Sequence, residues 1–216
     1  LILVFSFFYT YRMGCLITRT KEIGILMAVS YILSPYFLIN ILARSAFTEA
    51  FAQGLIPFCL FYSFKFLKEE QSVKNFLLLS LSWFLIATSH LITYLNFSIF
   101  IMLLLLGMWL LKIQSFKKIV WYGFSYLYSI LLSSWYIVPV ILFGNKLNIN
   151  HDISKLIDSN WLTPLSELFS FQSVSMMPLP GNGLLQSQIY PSLGWIFIIS
   201  FIGVWYGLST QIKDVR

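Results

Sequence analysis

Residues 75–111 read NFLLLSLSWFLIATSHLITYLNFSIFIMLLLLGMWLL, and this stretch decides the fold class. It consists of two apolar blocks, 75–89 and 91–111, that meet at His90 with almost no loop between them. A helix needs about 20 apolar residues to cross a bilayer, and only helices and closed barrels satisfy their backbone hydrogen bonds in lipid. Because barrel strands alternate in hydrophobicity rather than running as continuous apolar blocks, the pair is predicted to be a hairpin of two membrane helices.

The composition extends this interpretation to the whole chain. Of the 216 residues, 58% are hydrophobic and 10% are charged, whereas a soluble domain carries about 25% charged residues. We therefore predict an all-α, polytopic membrane protein with about seven transmembrane helices, in a single helical membrane domain over residues 1–216. The other predicted spans are 1–11, 23–39, 47–64, 119–143 and 192–209. Block 1–11 resembles the second half of a spanning helix, so the chain is expected to be a fragment of a larger protein.

The basic residues predict the orientation of these helices. The net charge is +6, but the charges lie at the ends of apolar blocks, which indicates membrane orientation rather than a nucleic-acid partner. The positive-inside rule then places four connections in the cytoplasm, with the lipid bilayer as the partner. These are loop 12–22 (Arg12, Arg19, Lys21), loop 65–74 (Lys65, Lys68, Lys74), loop 112–118 (Lys112, Lys117, Lys118) and the C-terminal tail (Lys213, Arg216).

The connections on the other side are 36–49, the turn at His90 and the long loop 144–191. A connection as long as 144–191 is usually functional or disordered. Thr163-Pro164 is typical of a helix start, and LPGNG at 179–183 is typical of a turn. The loop is therefore predicted to form short amphipathic helices on the outer surface.

The segment SPYFLINILARSAFTEAFAQGLIPF, residues 34–58, carries Arg44 and Glu49 beside an apolar span. Charges at membrane depth usually face a protein interior or a wet cavity and mark functional sites. The guanidinium of Arg44 is suited to binding a phosphate. The alternative is structural: Arg44 reaches the lipid headgroups and Glu49 caps a helix start. Pro35 and Pro57 bracket the segment, which favours a break or a re-entrant turn within it.

His90 can exchange protons near neutral pH or bind a phosphate oxygen, although an interfacial turn residue is the simpler interpretation. The chain contains only two histidines, His90 and His151, so a three-histidine zinc site cannot form within it. We predict no metal and no cofactor. Cys15 and Cys59 do not suggest a disulfide framework and are interpreted as packing residues.

The segment 34–58 resembles a family of bacterial membrane proteins, the 6-pyruvoyl-tetrahydropterin-synthase-related membrane proteins. The resemblance covers about residues 31–100. Leu91 departs from the pattern, because an Asn commonly follows the histidine in that family. The matching positions are Pro35-Tyr36, Arg44, Glu49, Pro57 and the turn Ser89-His90.

The resemblance implies a GT-C-like architecture, similar to polytopic glycosyltransferases that take sugars from polyprenyl-phosphate carriers on the outer leaflet. It implies that Arg44 holds the carrier phosphate, that Glu49 orients this arginine or acts as a catalytic base, and that His90 lines the same cavity. The principal catalytic acid would lie upstream of Leu1. The pterin chemistry in the family name would need metal-binding histidines that the chain lacks. Two alternatives stay open: a transporter or flippase for a lipid-linked or anionic solute, and a non-catalytic assembly subunit.

Overall fold

The apolar blocks of the first two thirds of the chain fold into helices in the computed structural model. The structure describes residues 1–42, 45–68 and 72–144, and all regular structure in these ranges is helical. The predicted all-α class is confirmed. Arg44, the outer loop beyond Gly144 and the predicted span 192–209 lie outside the described residues. The helices are α1 (Ile2–Thr18), α2 (Lys21–Ile32), α3 (Pro35–Leu42), α4 (Phe47–Lys68), α5 (Val73–Ser89), α6 (Leu91–Leu110) and α7 (Phe116–Phe143).

The predicted block 23–39 is divided into α2 and α3 by a turn at Leu33 and Ser34. Proline disfavours helical geometry in the residue before it, and it is well suited to the first position of a new helix. Pro35 therefore ends one helix and begins the next. Further along the segment 34–58, α3 ends at Leu42 and α4 begins at Phe47, and the described residues Ser45 and Ala46 are not helical.

Three described helices, α4, α6 and α7, are long and apolar enough to cross a bilayer. The number rises to four if α2 and α3 together form one broken span. Two shorter apolar helices, α1 and α5, have 17 residues each, which is near the lower end of the roughly 17–25 residues of known membrane helices. The chain is therefore a membrane protein with several spans.

The chain divides into two compact units. Among the described residues, the smaller unit contains α3, in which Phe37, Ile39 and Asn40 are buried. The larger unit contains the other six helices. Within it, α2 packs on α1, α1 on α4, α4 on α5, and α5 on α6 and α7. Trp83 of α5 is fully buried in the core of this unit.

The larger unit buries several small polar residues beside its apolar core and exposes many large apolar side chains, as expected for a protein whose solvent is lipid. The buried face of α7 carries Ser125, Ser129 and Ser133. By contrast, Leu103 of α6 is 63% exposed and Leu131 of α7 is 70% exposed. Small residues between membrane helices allow the backbones to approach closely, and the exposed leucines are positioned to face acyl chains.

Two glycines set the distance between α1 and α2. A methyl group added at Gly14 would lie 2.7 Å from the Cα of Gly24, and one added at Gly24 would lie 2.7 Å from the Sγ of Cys15. Gly14 cannot accept a side chain without moving the helices apart, because its contact is with backbone. At Gly24 the methyl group would displace the Cys15 side chain and would lie 3.0 Å from the carbonyl oxygen of Tyr11. The close packing of α1 and α2 therefore depends on glycine, which has no side chain, at positions 14 and 24.

We expect Gly14→Ala to destabilise the protein by about 1–3 kcal/mol, the usual cost of overpacking a close contact. Gly107→Ala is the matched control, since a methyl group at Gly107 meets nothing within 4 Å, and alanine favours a helix interior over glycine. The measurement is the midpoint of thermal unfolding of the purified protein in detergent. Equal midpoints for the two variants would contradict the close packing of α1 and α2.

The described basic residues gather at one end of the larger unit. The guanidinium of Arg12 in α1 lies 4.8 Å from the ring centroid of Phe61 in α4. The Nζ of Lys118, at the start of α7, donates a 2.8 Å hydrogen bond to the carbonyl oxygen of Leu67, at the end of α4. We call this the basic end of the unit, and we call the other the opposite end. The basic residues of the basic end are Arg12, Arg19, Lys21, Lys65, Lys68, Lys74, Lys112, Lys117 and Lys118.

Glu49 and His90 lie at the opposite end. Glu49 is in the first turn of α4, so a full helix of 22 residues separates this turn from the basic end. His90 joins the end of α5 to the start of α6. The short connections from α4 to α5 and from α5 to α6 alternate between the two ends, which places both residues away from the described lysines and arginines.

Candidate functional site

Helix α4 carries a proline midway along its continuous length. Pro57 lies within α4, which runs unbroken from Phe47 to Lys68. Proline has no backbone N–H, so the carbonyl of Gln53, four residues earlier, loses its usual helical partner. The hydroxyl of Tyr31 in α2 donates a 2.7 Å hydrogen bond to that carbonyl. In lipid, such a freed carbonyl must be satisfied by a neighbouring helix or by water, and Tyr31 provides this.

This hydrogen bond connects α2 to α4 one helical turn from Glu49. Residues four apart lie on the same face of a helix, so Glu49 and Gln53 share a face of α4. The Tyr31 contact therefore fixes the segment of α4 that carries the candidate carboxylate. The sequence showed Pro57 but not its partner, because the pairing depends on how two separate helices pack.

We expect Tyr31→Phe to destabilise the protein by about 0.5–2 kcal/mol, the range for a hydrogen bond between membrane helices. Replacing Pro57 with Ala in the same variant should restore much of the loss, because the alanine N–H can again bond to the Gln53 carbonyl. Unfolding midpoints in detergent of the wild type and of both variants test this. A Tyr31→Phe midpoint equal to that of the wild type would contradict the proposed contact.

Glu49 is half-buried in the first turn of α4. A carboxylate at a helix N-terminus interacts favourably with the unpaired backbone N–H groups there. This position agrees with the structural interpretation of Glu49 and leaves its chemical role open. Arg44 lies outside the described residues, so its pairing with Glu49 stays a prediction.

His90 ends α5 and caps α6. Its Nδ1 accepts a 3.3 Å hydrogen bond from the backbone N–H of Thr93 and lies 2.8 Å from the Thr93 hydroxyl. A backbone N–H can only donate, so Nδ1 is the acceptor in this contact. His90 therefore caps the turn between α5 and α6, and its role in ligand binding stays a prediction.

The structure places Glu49 and His90 at the same end of the larger unit. Within residues 45–68 and 72–144, the hydrogen bonds described for the His90 ring go to Thr93. In the same ranges and in residues 1–42, no group of three or more His, Cys, Asp or Glu residues could hold a metal ion.

A second polar cluster, which the sequence did not single out, lies in the core. The indole Nε1 of Trp83 donates to the Tyr122 hydroxyl at 3.2 Å, and that hydroxyl lies 2.8 Å from the Ser63 Oγ. The Ser63 hydroxyl donates onward to the Cys59 carbonyl at 2.7 Å. If the Tyr122 hydroxyl donates to the Ser63 Oγ, each group in the series donates one hydrogen bond to the next, from Trp83 to the Cys59 carbonyl. The series links α5, α7 and α4, and every one of its atoms has a partner, so its role is structural.

The comparisons with known proteins identify the family. Residues 1–210 match the family described as "6-pyruvoyl-tetrahydropterin synthase related domain; membrane protein". The chain belongs to this family. No curated protein matches the chain, and no solved structure matches it.

Membership in the 6-pyruvoyl-tetrahydropterin synthase related family confirms the resemblance predicted from segment 34–58. It extends that resemblance from about residues 31–100 to residues 1–210. The family description names a membrane protein, in agreement with the helices described above. It names no substrate and no reaction, so the GT-C-like architecture and sugar transfer stay proposals.

Proposed function

We propose that this 6-pyruvoyl-tetrahydropterin synthase related protein transfers a sugar from a polyprenyl-phosphate carrier in envelope polysaccharide or glycolipid assembly. The observation that carries the proposal is the separation of charge along the helices. Glu49 and His90 share the end that lacks the described lysines and arginines. By the positive-inside rule this end faces away from the cytoplasm of a bacterial cell, which is the side on which such carriers present their sugars.

Each candidate residue has a role in the proposed reaction. The oxygen of an acceptor hydroxyl forms a bond to the anomeric carbon, and the bond from that carbon to the carrier phosphate breaks. The phosphate leaves with the electron pair. Glu49 accepts the proton of the acceptor hydroxyl as a general base, or it orients Arg44. Arg44 binds the departing phosphate through its planar fork of N–H groups, and the Nε2–H of His90 donates to a phosphate or sugar oxygen.

The second candidate is transport of a lipid-linked or anionic solute. The specific observation in its favour is the interrupted apolar block, in which α2 and α3 are separated at Leu33 and Ser34. Transporters commonly build their binding sites from broken helices near the bilayer midplane. This candidate uses Arg44 and Glu49 as a binding pair and predicts movement of the intact substrate, without cleavage of the sugar–phosphate bond. A non-catalytic assembly subunit would show neither activity.

The test compares two glutamates in equivalent positions. Glu49 lies in the first turn of α4 at the opposite end, and Glu22 lies in the first turn of α2 at the basic end. Both Glu→Gln changes remove a similar helix-terminal interaction of about 0.3–1 kcal/mol. We expect Glu49→Gln to reduce sugar transfer at least about 100-fold, the lower range for loss of a general base, and Glu22→Gln to leave it nearly unchanged.

The measurement is release of radiolabel from a panel of polyprenyl-phosphate-linked hexoses by membranes that contain the full-length protein. Protein amounts are matched by immunoblot. Equal rates for Glu49→Gln and the wild type would exclude Glu49 from the chemistry. Release no greater than from membranes without the protein, for every hexose, would contradict sugar transfer itself.

A further inference from the structure

A cleft of about 490 Å³ lies at the basic end, between the end of α1, the start of α2 and the last turns of α4. Four basic side chains line it: Arg12, Arg19, Lys21 and Lys65. They come from both sides of the α1–α2 turn and from α4, which lies far away in sequence. The fold therefore brings cations from separate segments to one concavity, which a run of basic residues on one helix face would not do.

The electrostatics of this cleft favour an anion. Like charges that line one cavity repel each other, and an anion between them relieves the repulsion. The described acidic residues are Glu22 and Glu49. Glu22 is next to Lys21 in the chain but does not line the cleft, and Glu49 lies at the opposite end. The described lining of the cleft therefore carries four cationic side chains and no carboxylate.

The floor of the cleft is aromatic and positions one of the cations. The Arg12 guanidinium lies 4.8 Å from the centroid of Phe61 and 5.5 Å from that of Phe8. An arginine that stacks on aromatic rings keeps the N–H groups at its edge available for two parallel hydrogen bonds to a phosphate. Phe61 also belongs to the buried core of the unit, so this arginine rests on a rigid surface.

We propose that this cleft binds a phosphate group, and that the group is the headgroup phosphate of an anionic phospholipid. The cleft lies where three apolar helices begin or end, so it opens at the level of the headgroups when the helices span a bilayer. Basic pockets between membrane helices on the cytoplasmic side recognise anionic headgroups. Leu16 and Phe61 in the same cleft can contact the upper part of a lipid chain. This site is separate from the site proposed for sugar transfer.

The experiment uses two double variants with the same loss of charge. The cleft variant is Arg19→Gln with Lys21→Gln. The control variant is Lys112→Gln with Lys117→Gln, which are at the same end but do not line the cleft. The two double variants also match in the backbone conformation of one substituted residue, since Arg19 and Lys112 both have a positive φ, of 61° and 57°. Full-length protein is purified in detergent micelles that contain equimolar phosphatidylcholine and phosphatidylglycerol. The lipids that stay bound are quantified after repeated detergent washes.

We expect the wild type and the control to retain phosphatidylglycerol selectively and the cleft variant to lose about tenfold or more of that selectivity. Equal losses in the two double variants would overturn the proposal, because net charge alone would then explain the binding. If the cleft variant does not fold, Lys21→Gln alone, at the exposed start of α2, provides the same comparison against Lys117→Gln.

A second arm distinguishes a lipid from a soluble phosphate. The unfolding midpoint is measured in sodium phosphate and in sodium chloride at equal ionic strength, for the wild type and both double variants. A phosphate-specific rise that only the cleft variant loses, without lipid selectivity, would support the phosphate site but assign it to a soluble ligand. No dependence on the cleft residues in either arm would overturn the site.

Discussion

The cost of placing a charged group in hydrocarbon is the constraint on which the rest of this structure depends. It costs several kcal/mol to bury an ammonium or guanidinium at the bilayer centre, whether the lower or the higher estimates are used. Basic residues must therefore lie at helix ends, and in this protein the described ones share a single end. Glu49 and His90 are at the other end because α4, α5 and α6 alternate in direction. The proposed sugar site and the proposed phosphate cleft therefore lie on different membrane faces.

A second consequence of the lipid environment is that polar groups inside the bundle must satisfy one another. The Gln53 carbonyl freed by Pro57 is bonded to Tyr31, and the Tyr122 hydroxyl is bonded to Trp83 and faces Ser63. These contacts join helices that are distant in sequence. They allow α4 to carry a proline, and α7 to bury the Tyr122 hydroxyl, without leaving these groups unbonded in hydrocarbon. The Tyr31 hydrogen bond also ties α2 to the part of α4 that lies one turn from Glu49.

Much of the fold could be predicted from the sequence because bilayer thickness imposes a length on each apolar block. The hairpin at His90 is an example: α5 ends at Ser89 and α6 begins at Leu91, as the two blocks predicted. The division of block 23–39 was harder to foresee, because hydropathy does not register the backbone effect of Pro35. For the site, the sequence could point to Glu49 and His90 as rare ionisable groups. It could not show that the Nδ1 of His90 is used by Thr93, or that Arg12 and Lys65 meet in one cleft, since both depend on packing.

We propose that the end with Glu49 and His90 faces away from the cytoplasm. Fusions of a phosphatase that is active only outside the cytoplasm test this most directly, with one fusion after His90 and one after Gln114, expressed in a bacterial host. We expect high phosphatase activity for the fusion after His90 and background activity for the fusion after Gln114, at equal amounts of protein. The reverse pattern would place Glu49 and His90 in the cytoplasm and contradict the proposed site.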